Sequence, residues 1–434
     1  MSTPSFARLG SANAYDNALR NISQRQTALS GLQDNLTSGK RVVRASDDPT
    51  SAAQAERALT RLSRIATDQR ALASQTNSIA MAESTLGDVT KALQSFRGLV
   101  VSAGSGAFTQ KDRQTVTQQL QGLRDQIFSL SNQKDTNGQS LFSALGSALT
   151  PFVGPTAEPQ DYTFDGLPGQ TASGTVSIPF ALDGDSAFML PTARDGVFNV
   201  QVSNASTLRT NAVVVKDPTL LTPGSSYSVS AIAITSDPAT GMSYATYNVT
   251  ETPASGPAVT TLLQRGPDFS TLGGSIAIDI PRTAVPISPP AASPAEPPGL
   301  TFNVTGVPTG NDSITVSASP SLFSVLDDAI RDIGRATTSG AASQAVGQAL
   351  GNIDIGMSRV SAVRGQAGEL LNRSGRINDN QSKRSMQVEN DRSRAEDIDM
   401  LKGLADFQNQ KTGHQVALQS YAQIQKLSLF NYIS

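Results

Sequence analysis

Two stretches of this chain repeat apolar residues at helical spacing, and they stand at opposite ends of the sequence. Near the amino end Tyr15, Ile22, Leu29 and Leu36 recur every seven residues, with Ala18 and Leu32 between them. That places one apolar stripe on a helix otherwise covered by Asn, Gln, Arg and Asp. Gly39 stops it, and Lys40 and Arg41 follow at its negative end. A second helix is predicted to start at Ser46-Asp47-Asp48-Pro49, with Asp48 as its cap and Pro49 at the first helical position. Its apolar positions run Leu62, Ile65, Leu72 and Ile79, slip once, and resume at Ala82, Leu86, Val89, Leu93, Phe96, Val100 and Ala103. The alternation of three and four predicts a coiled coil. Gly104-Ser105-Gly106 ends it. A third helix carries Val116, Leu120, Leu123, Ile127 and Leu130, and Asn137-Gly138 marks a tight turn.

Between 151 and 320 the period changes. Of 23 prolines, all but Pro4 and Pro49 lie there, where they break helices. Runs at 174–180, 197–202, 212–215, 227–234, 244–249, 275–280, 300–304 and 314–317 read as strands separated by Asp, Gly and Pro. The segment 281–298 is Pro-rich enough for an extended linker or edge loop. Helical spacing then returns with Leu322, Leu326, Ala329 and Ile333, and again with Val346, Leu350, Ile353, Met357 and Val360. The stretch 382–399 is charge-rich and solvated.

The last segment differs. Leu418, Tyr421, Ala422 and Leu429 share one side of a helix, while Val416, Ile424 and Leu427 lie opposite, with Phe430 close behind. A helix apolar nearly all round is buried on all sides, which a chain terminus does not achieve alone. Neighbouring subunits are the expected cover. Both terminal arms, without an evident partner in the chain, are expected to be loose in the monomer and helical once assembled.

The predicted fold is therefore α+β and multidomain: a long antiparallel coiled-coil rod built from both termini, with an inserted all-β domain rich in Pro and Gly. The boundaries are an assembly arm at 1–45, rod at 46–150, outer β region of one or two domains at 151–320, rod at 321–398 and a second arm at 399–434.

Composition narrows function mainly by exclusion. Only 16% of residues are charged and the net charge is −2, so no global field draws nucleic acid or an anionic membrane. Cysteine is absent and His414 is the single histidine, which removes thiol chemistry and leaves little for a metal site or a His-dependent triad. No basic segment followed by an apolar core opens the chain, and no run is long enough to span a membrane. A cleaved secretory signal is thus not expected, and if the chain leaves the cell it does so by a route that does not read a hydrophobic signal. Asp47-Asp48 reads as a helix cap ahead of a carboxylate pair, and Asp183-Gly184-Asp185 as a turn ahead of a calcium loop. Gly104-Ser105-Gly106 lacks the Lys of a phosphate loop, and no Gly-x-Ser-x-Gly elbow appears. No catalytic, cofactor or metal site is expected, and the protein is read as a non-enzyme.

One combination of motifs is more specific. Leu36-Thr37-Ser38-Gly39-Lys40-Arg41-Val42 followed by Ser46-Asp47-Asp48-Pro49, the 120–126 and 136–138 segments, Ala417-Leu418-Gln419-Ser420-Tyr421 and Leu427-Ser428-Leu429-Phe430 resemble the flagellin family, in its hook–filament junction branch. The resemblance covers about 10–145 and 345–434. It implies an extracellular flagellar component, exported unfolded through the type III apparatus with a chaperone on its carboxyl arm. It further implies a ring of self-associated copies that contacts hook-associated protein 1 on one side and flagellin on the other. By position, the assembly interface would comprise Tyr15, Ile22, Leu29, Leu32 and Leu36 with Leu418, Tyr421, Ile424, Leu427, Leu429 and Phe430. The alternatives are a flagellin, the filament subunit itself, and a flagellin-like cell-surface binding protein.

Overall fold

The computed structural model describes residues 5–156, 161–203, 206–222, 224–236, 243–253, 256–265, 275–280 and 298–433; at 5–15, 235–236, 243–244, 263–265, 424 and 426–433 it describes the backbone alone. The chain forms two compact units: Met1–Ala71 with Ile377–Ser434, here the terminal unit, and Leu72–Arg376, the central unit.

Three helices open the chain: α1 (Ser5–Ser38), α2 (Pro49–Ala103) and α3 (Gln110–Ser131). Short elements follow: β1 (Phe152–Val153), β2 (Thr163–Phe164), α4 (Gly184–Phe188) and α5 (Thr192–Asp195). The main strands are β3 (Phe198–Val202), β4 (Arg209–Thr210), β5 (Val214–Val215), β6 (Ser226–Ser236), β7 (Ser243–Thr252), β8 (Val259–Arg265), β9 (Ser275–Ile280), β10 (Leu300–Thr305) and β11 (Ser313–Ala318). Helices α6 (Leu322–Arg335), α7 (Ser339–Glu396) and α8 (Met400–Ile433) close it. This is the α+β layout the two periods predict, long helices from both ends around an antiparallel β region.

In the central unit the heptad stripe of α2 is a core. Ile79, Leu86, Val89, Leu93, Phe96, Val100 and Ala103 are fully buried. Helix α7 runs antiparallel to α2, as the pairs Arg97–Asp354 and Arg364–Glu83 (both 2.8 Å) require. From α7, Ile353, Val360 and Val363 bury their side chains in turn. Helix α3 starts with a capping box, in which Asp112 N–H donates to Thr109 Oγ1 and Thr109 N–H to Asp112 Oδ2. It packs on α6, and Phe128, Phe152, Tyr162, Phe188 and Phe323 lock the two helices to the β1–β2 ribbon through ring contacts of 5.1–5.7 Å.

The β region is a two-sheet sandwich. One sheet has the order β3-β11-β6-β7-β8; in the other β10 pairs with β9 on one edge and with β4 and β5 on the opposite edge. All pairs are antiparallel. Alternate residues of both sheets, among them Val200, Val229, Tyr247 and Val316 from the first and Ile276, Ile278, Phe302 and Val304 from the second, fill one core. The stretch 174–180 is not a strand. Its backbone is held by side chains instead: Ile178 N–H donates to Gln75 Oε1, and Arg373 donates to the carbonyls of Ser173 and Gly174.

Candidate assembly surfaces

The terminal unit is organised by the segment joining α1 to α2. Gly39 adopts φ +72°, which ends α1 and turns the chain. Its carbonyl accepts from Ile398 N–H (3.0 Å), while Arg41 N–H donates to the Glu396 carbonyl (2.7 Å). The Arg41 guanidinium reaches Asp48 Oδ2 (3.2 Å), Ser51 Oγ (3.0 Å) and the Ala395 carbonyl (2.8 Å). Lys40 pairs with Glu396. Asp48 Oδ1 accepts from Thr50 Oγ1 (2.7 Å) and from the backbone of Ser51 (3.1 Å), so it caps α2 directly before Pro49. Those Ser51 and Thr50 bonds, with Arg41, hold its carboxyl well below the usual carboxylate range. Asp47 Oδ2 accepts from Arg44 N–H (2.8 Å) and closes the preceding turn, with Ser46 Oγ beside its other oxygen. The segment is thus a clasp between the start of α2 and the end of α7, in which Asp48 serves as cap and as partner of Arg41 while Asp47 closes the local turn.

Against the expectation that the arms lack a partner in the chain, α1 packs along α8. The two are antiparallel: a Cβ on Gly403 would meet Leu36 at 3.2 Å, and one on Gly413 would meet Arg25 at 2.5 Å. The seam on α1 is Ala18, Ile22, Leu29, Leu32 and Leu36, all half-buried. On α8 it is Gly403, Phe407, Gln410, His414, Ala417 and Tyr421. Two aromatic rings, Phe407 and Tyr421, and otherwise small or polar residues therefore face α1, while the aliphatic Leu401, Leu404, Val416 and Leu418 are exposed. Leu401 is 83% exposed, Val416 54%, Leu404 52% and Leu418 44%.

Of the residues predicted for the interface, Ile22, Leu29, Leu32, Leu36 and Tyr421 lie on the intrachain seam and Leu418 on the outer face. The side chains of Tyr15, Ile424, Leu427, Leu429 and Phe430 fall outside the described residues. Leu401 and Leu404 were missed by sequence reasoning; their i, i+3 spacing at the start of α8 was the available signal. Among the described residues no group of three or more His, Cys, Asp or Glu is placed to hold a metal, and no helix is long and apolar enough to cross a membrane.

Antiparallel terminal helices with exposed Leu401, Leu404, Val416 and Leu418, and long helices between which a β sandwich is inserted, define an α+β class with helical ends. The model of the bacterial flagellin N-terminal helical region matches residues 11–146, and that of the C-terminal helical region matches 350–433, together just over half of the chain. The chain belongs to the flagellin family. Solved structures share its fold. Flagellar hook associated protein-3 from Legionella pneumophila has a TM-score of 0.55 at 20% identity, over 77% of this chain and 96% of that one. The flagellar junction protein FlgL from the same organism gives 0.51 at 20%, over 74% and 98%. FlgL of Xanthomonas campestris gives 0.51 at 18%, over 77% and 98%. No curated protein matches the chain by sequence.

Proposed function

We propose that this protein is a non-enzymatic structural subunit of the bacterial flagellum, a ring-forming adaptor between hook and filament. The observation that supports this reading best is the set of exposed apolar residues that α8 carries on more than one side, Leu401, Leu404, Val416 and Leu418, on a terminal helix pair of flagellin type. Each Leu or Val removed from water by a neighbour contributes roughly 1.5–3 kcal/mol, and the set recurs on every copy. The folds of hook-associated protein-3 and FlgL favour the junction over the filament. On this reading the chain is extracellular and reaches its site by type III export, with a chaperone covering α8 in transit. Hook-associated protein 1 and flagellin are then its neighbours along the axis, and further copies of itself its neighbours around the ring. The second reading, the filament subunit itself, is favoured only by family membership.

Deleting the gene and examining the cells by electron microscopy separates the two. Hooks without filaments, with flagellin released into the medium, are expected for the junction. Absent filaments without released flagellin would make the chain the filament subunit. Normal filaments would exclude both.

A further inference from the structure

We propose that the groove between the start of α2 and the last turns of α7 is a docking site for a carboxylate-bearing surface of a second copy of this chain. The inference rests on the assembly reading above and assigns one contact within it.

The groove has a volume of about 410 Å³ and is lined by Arg57, Ala58 and Arg61 of α2 and by Val388, Asp391 and Arg394 of α7. Arg57 and Arg61 sit one helical turn apart on the same face of α2, an arrangement of like charges that destabilises an isolated helix. Neither has a hydrogen bond or an ion pair among the described residues. Arg394 has only a loose one, at 3.6 Å to Asp391, with both side chains more than half exposed. The nearby carboxylates are committed elsewhere: Asp48 to Arg41, Glu389 to Arg392, and Glu396 to Lys40 and Arg392. Three guanidinium groups against one loosely paired carboxylate, Asp391, thus leave the groove with a positive excess beside a clasp whose own charges are paired. Guanidinium groups bind carboxylates bidentately, which gives such a cluster orientation as well as attraction.

The occupant follows from how rings close. A ring of identical subunits uses heterologous contacts, in which one patch of a chain meets a different, complementary patch of the next. This chain divides its charge accordingly. Lys and Arg outnumber Asp and Glu in the terminal unit, and the reverse holds in the central unit. The central unit also presents exposed carboxylates without an ion pair among the described residues, such as Asp165 and Glu369. The basic groove of one copy and the acidic surface of the next are complementary in sign.

Because the chain has no cysteine, Gln54→Cys places a single thiol at the groove for a benzophenone-maleimide label. Flagella isolated from cells expressing this chain are labelled and irradiated. The expected result is a cross-linked species of twice the chain mass, with its second peptide mapping to 72–376. Adding Arg57→Gln and Arg61→Gln should reduce that species at least tenfold without changing the helical circular dichroism of the purified monomer. A cross-link to a different protein, no cross-link, or one undiminished by the two Gln substitutions would overturn the proposal while leaving the flagellar reading intact. Absence of the chain from isolated flagella would overturn the flagellar reading and the groove with it.

Discussion

The two units carry similar heptad patterns to opposite ends. In the central unit, Ile79, Leu86, Leu93, Phe96 and Val100 are fully buried by α2's own neighbours. In the terminal unit no α1 side chain that is described is buried, and Leu401, Leu404, Val416 and Leu418 of α8 face outward. Apolar burial is the main favourable term in folding. One unit therefore has its stability within the chain, and the other leaves apolar surface exposed, which on the proposed reading a neighbour covers. A periodic stripe shows which face seeks cover, and only the rest of the molecule shows whether cover is present.

The sharpest way to test the contrast is to damage the buried stripe. Phe96→Ala removes a fully buried ring and should cost about 3–5 kcal/mol, read as a lower denaturant midpoint in the transition that reports the central unit. A loss below about 1 kcal/mol would mean that the α2 stripe is not a packed core.

A smaller effect separates the units by pH. Burial pushes the Asp328 carboxyl up to about 6 from its ordinary 3.8, with Arg331 and Ser319 pulling the other way. A group whose folded pKa is raised stabilises fully below its unfolded pKa, and that contribution fades as pH rises through the folded value. The central unit should thus lose on the order of 2 kcal/mol between about pH 4 and 6.5 from this group, and Asp328→Asn should remove that slope. Asp48, in the terminal unit, is held low by Ser51 and Thr50. Its contribution is present above the ordinary carboxylate range and is lost as pH falls through and below it. Opposite trends in the two units, followed by hydrogen exchange of α2 near Leu93 and of the α2 start near Ser51, are the expected result.

Much of this was legible in the sequence where one period governed both pattern and packing. The spacing from Ile79 to Ala103 matches the buried positions, and the alternation at 275–280, 300–304 and 314–317 matches inward faces of the sandwich. The clasp was legible as a cap, since Asp48 before Pro49 has a local cause. Its bonds to Glu396 and Ala395 were not, because they join residues more than 350 positions apart. The run 174–180 misled because β-type composition does not reveal that Gln75 and Arg373 satisfy its backbone. The α1–α8 seam was hidden for another reason. On α8 it mixes Phe407 and Tyr421 with Gly403, Gln410, His414 and Ala417, a set without a clean apolar period, while Leu401 and Leu404 lie outside it.

A smaller loss again is expected at the turn out of α1. A Cβ on Gly39 would meet nothing within 4 Å, yet φ there is +72°. Gly39→Ala should therefore cost about 1 kcal/mol through backbone strain alone, and the terminal unit's transition should shift while the central unit's does not. Equal shifts would show that the two units unfold together.

The smallest effect on stability should come from the most apolar residues on the surface. Leu401→Ser and Leu404→Ser together remove two leucines that the monomer leaves 83% and 52% exposed, so the folded chain loses little packing and its stability should stay within about 0.5 kcal/mol of the parent. Assembly should behave differently, because in a ring the same two positions repeat on every copy and each lost burial is multiplied by the subunit number. The paired substitution is expected to leave circular dichroism and denaturant midpoint unchanged and to abolish filament attachment when it replaces the parent chain in cells. Preserved filaments would place the interface on another face of α8, and a falling midpoint would show that the exposed pair is packed within the chain after all.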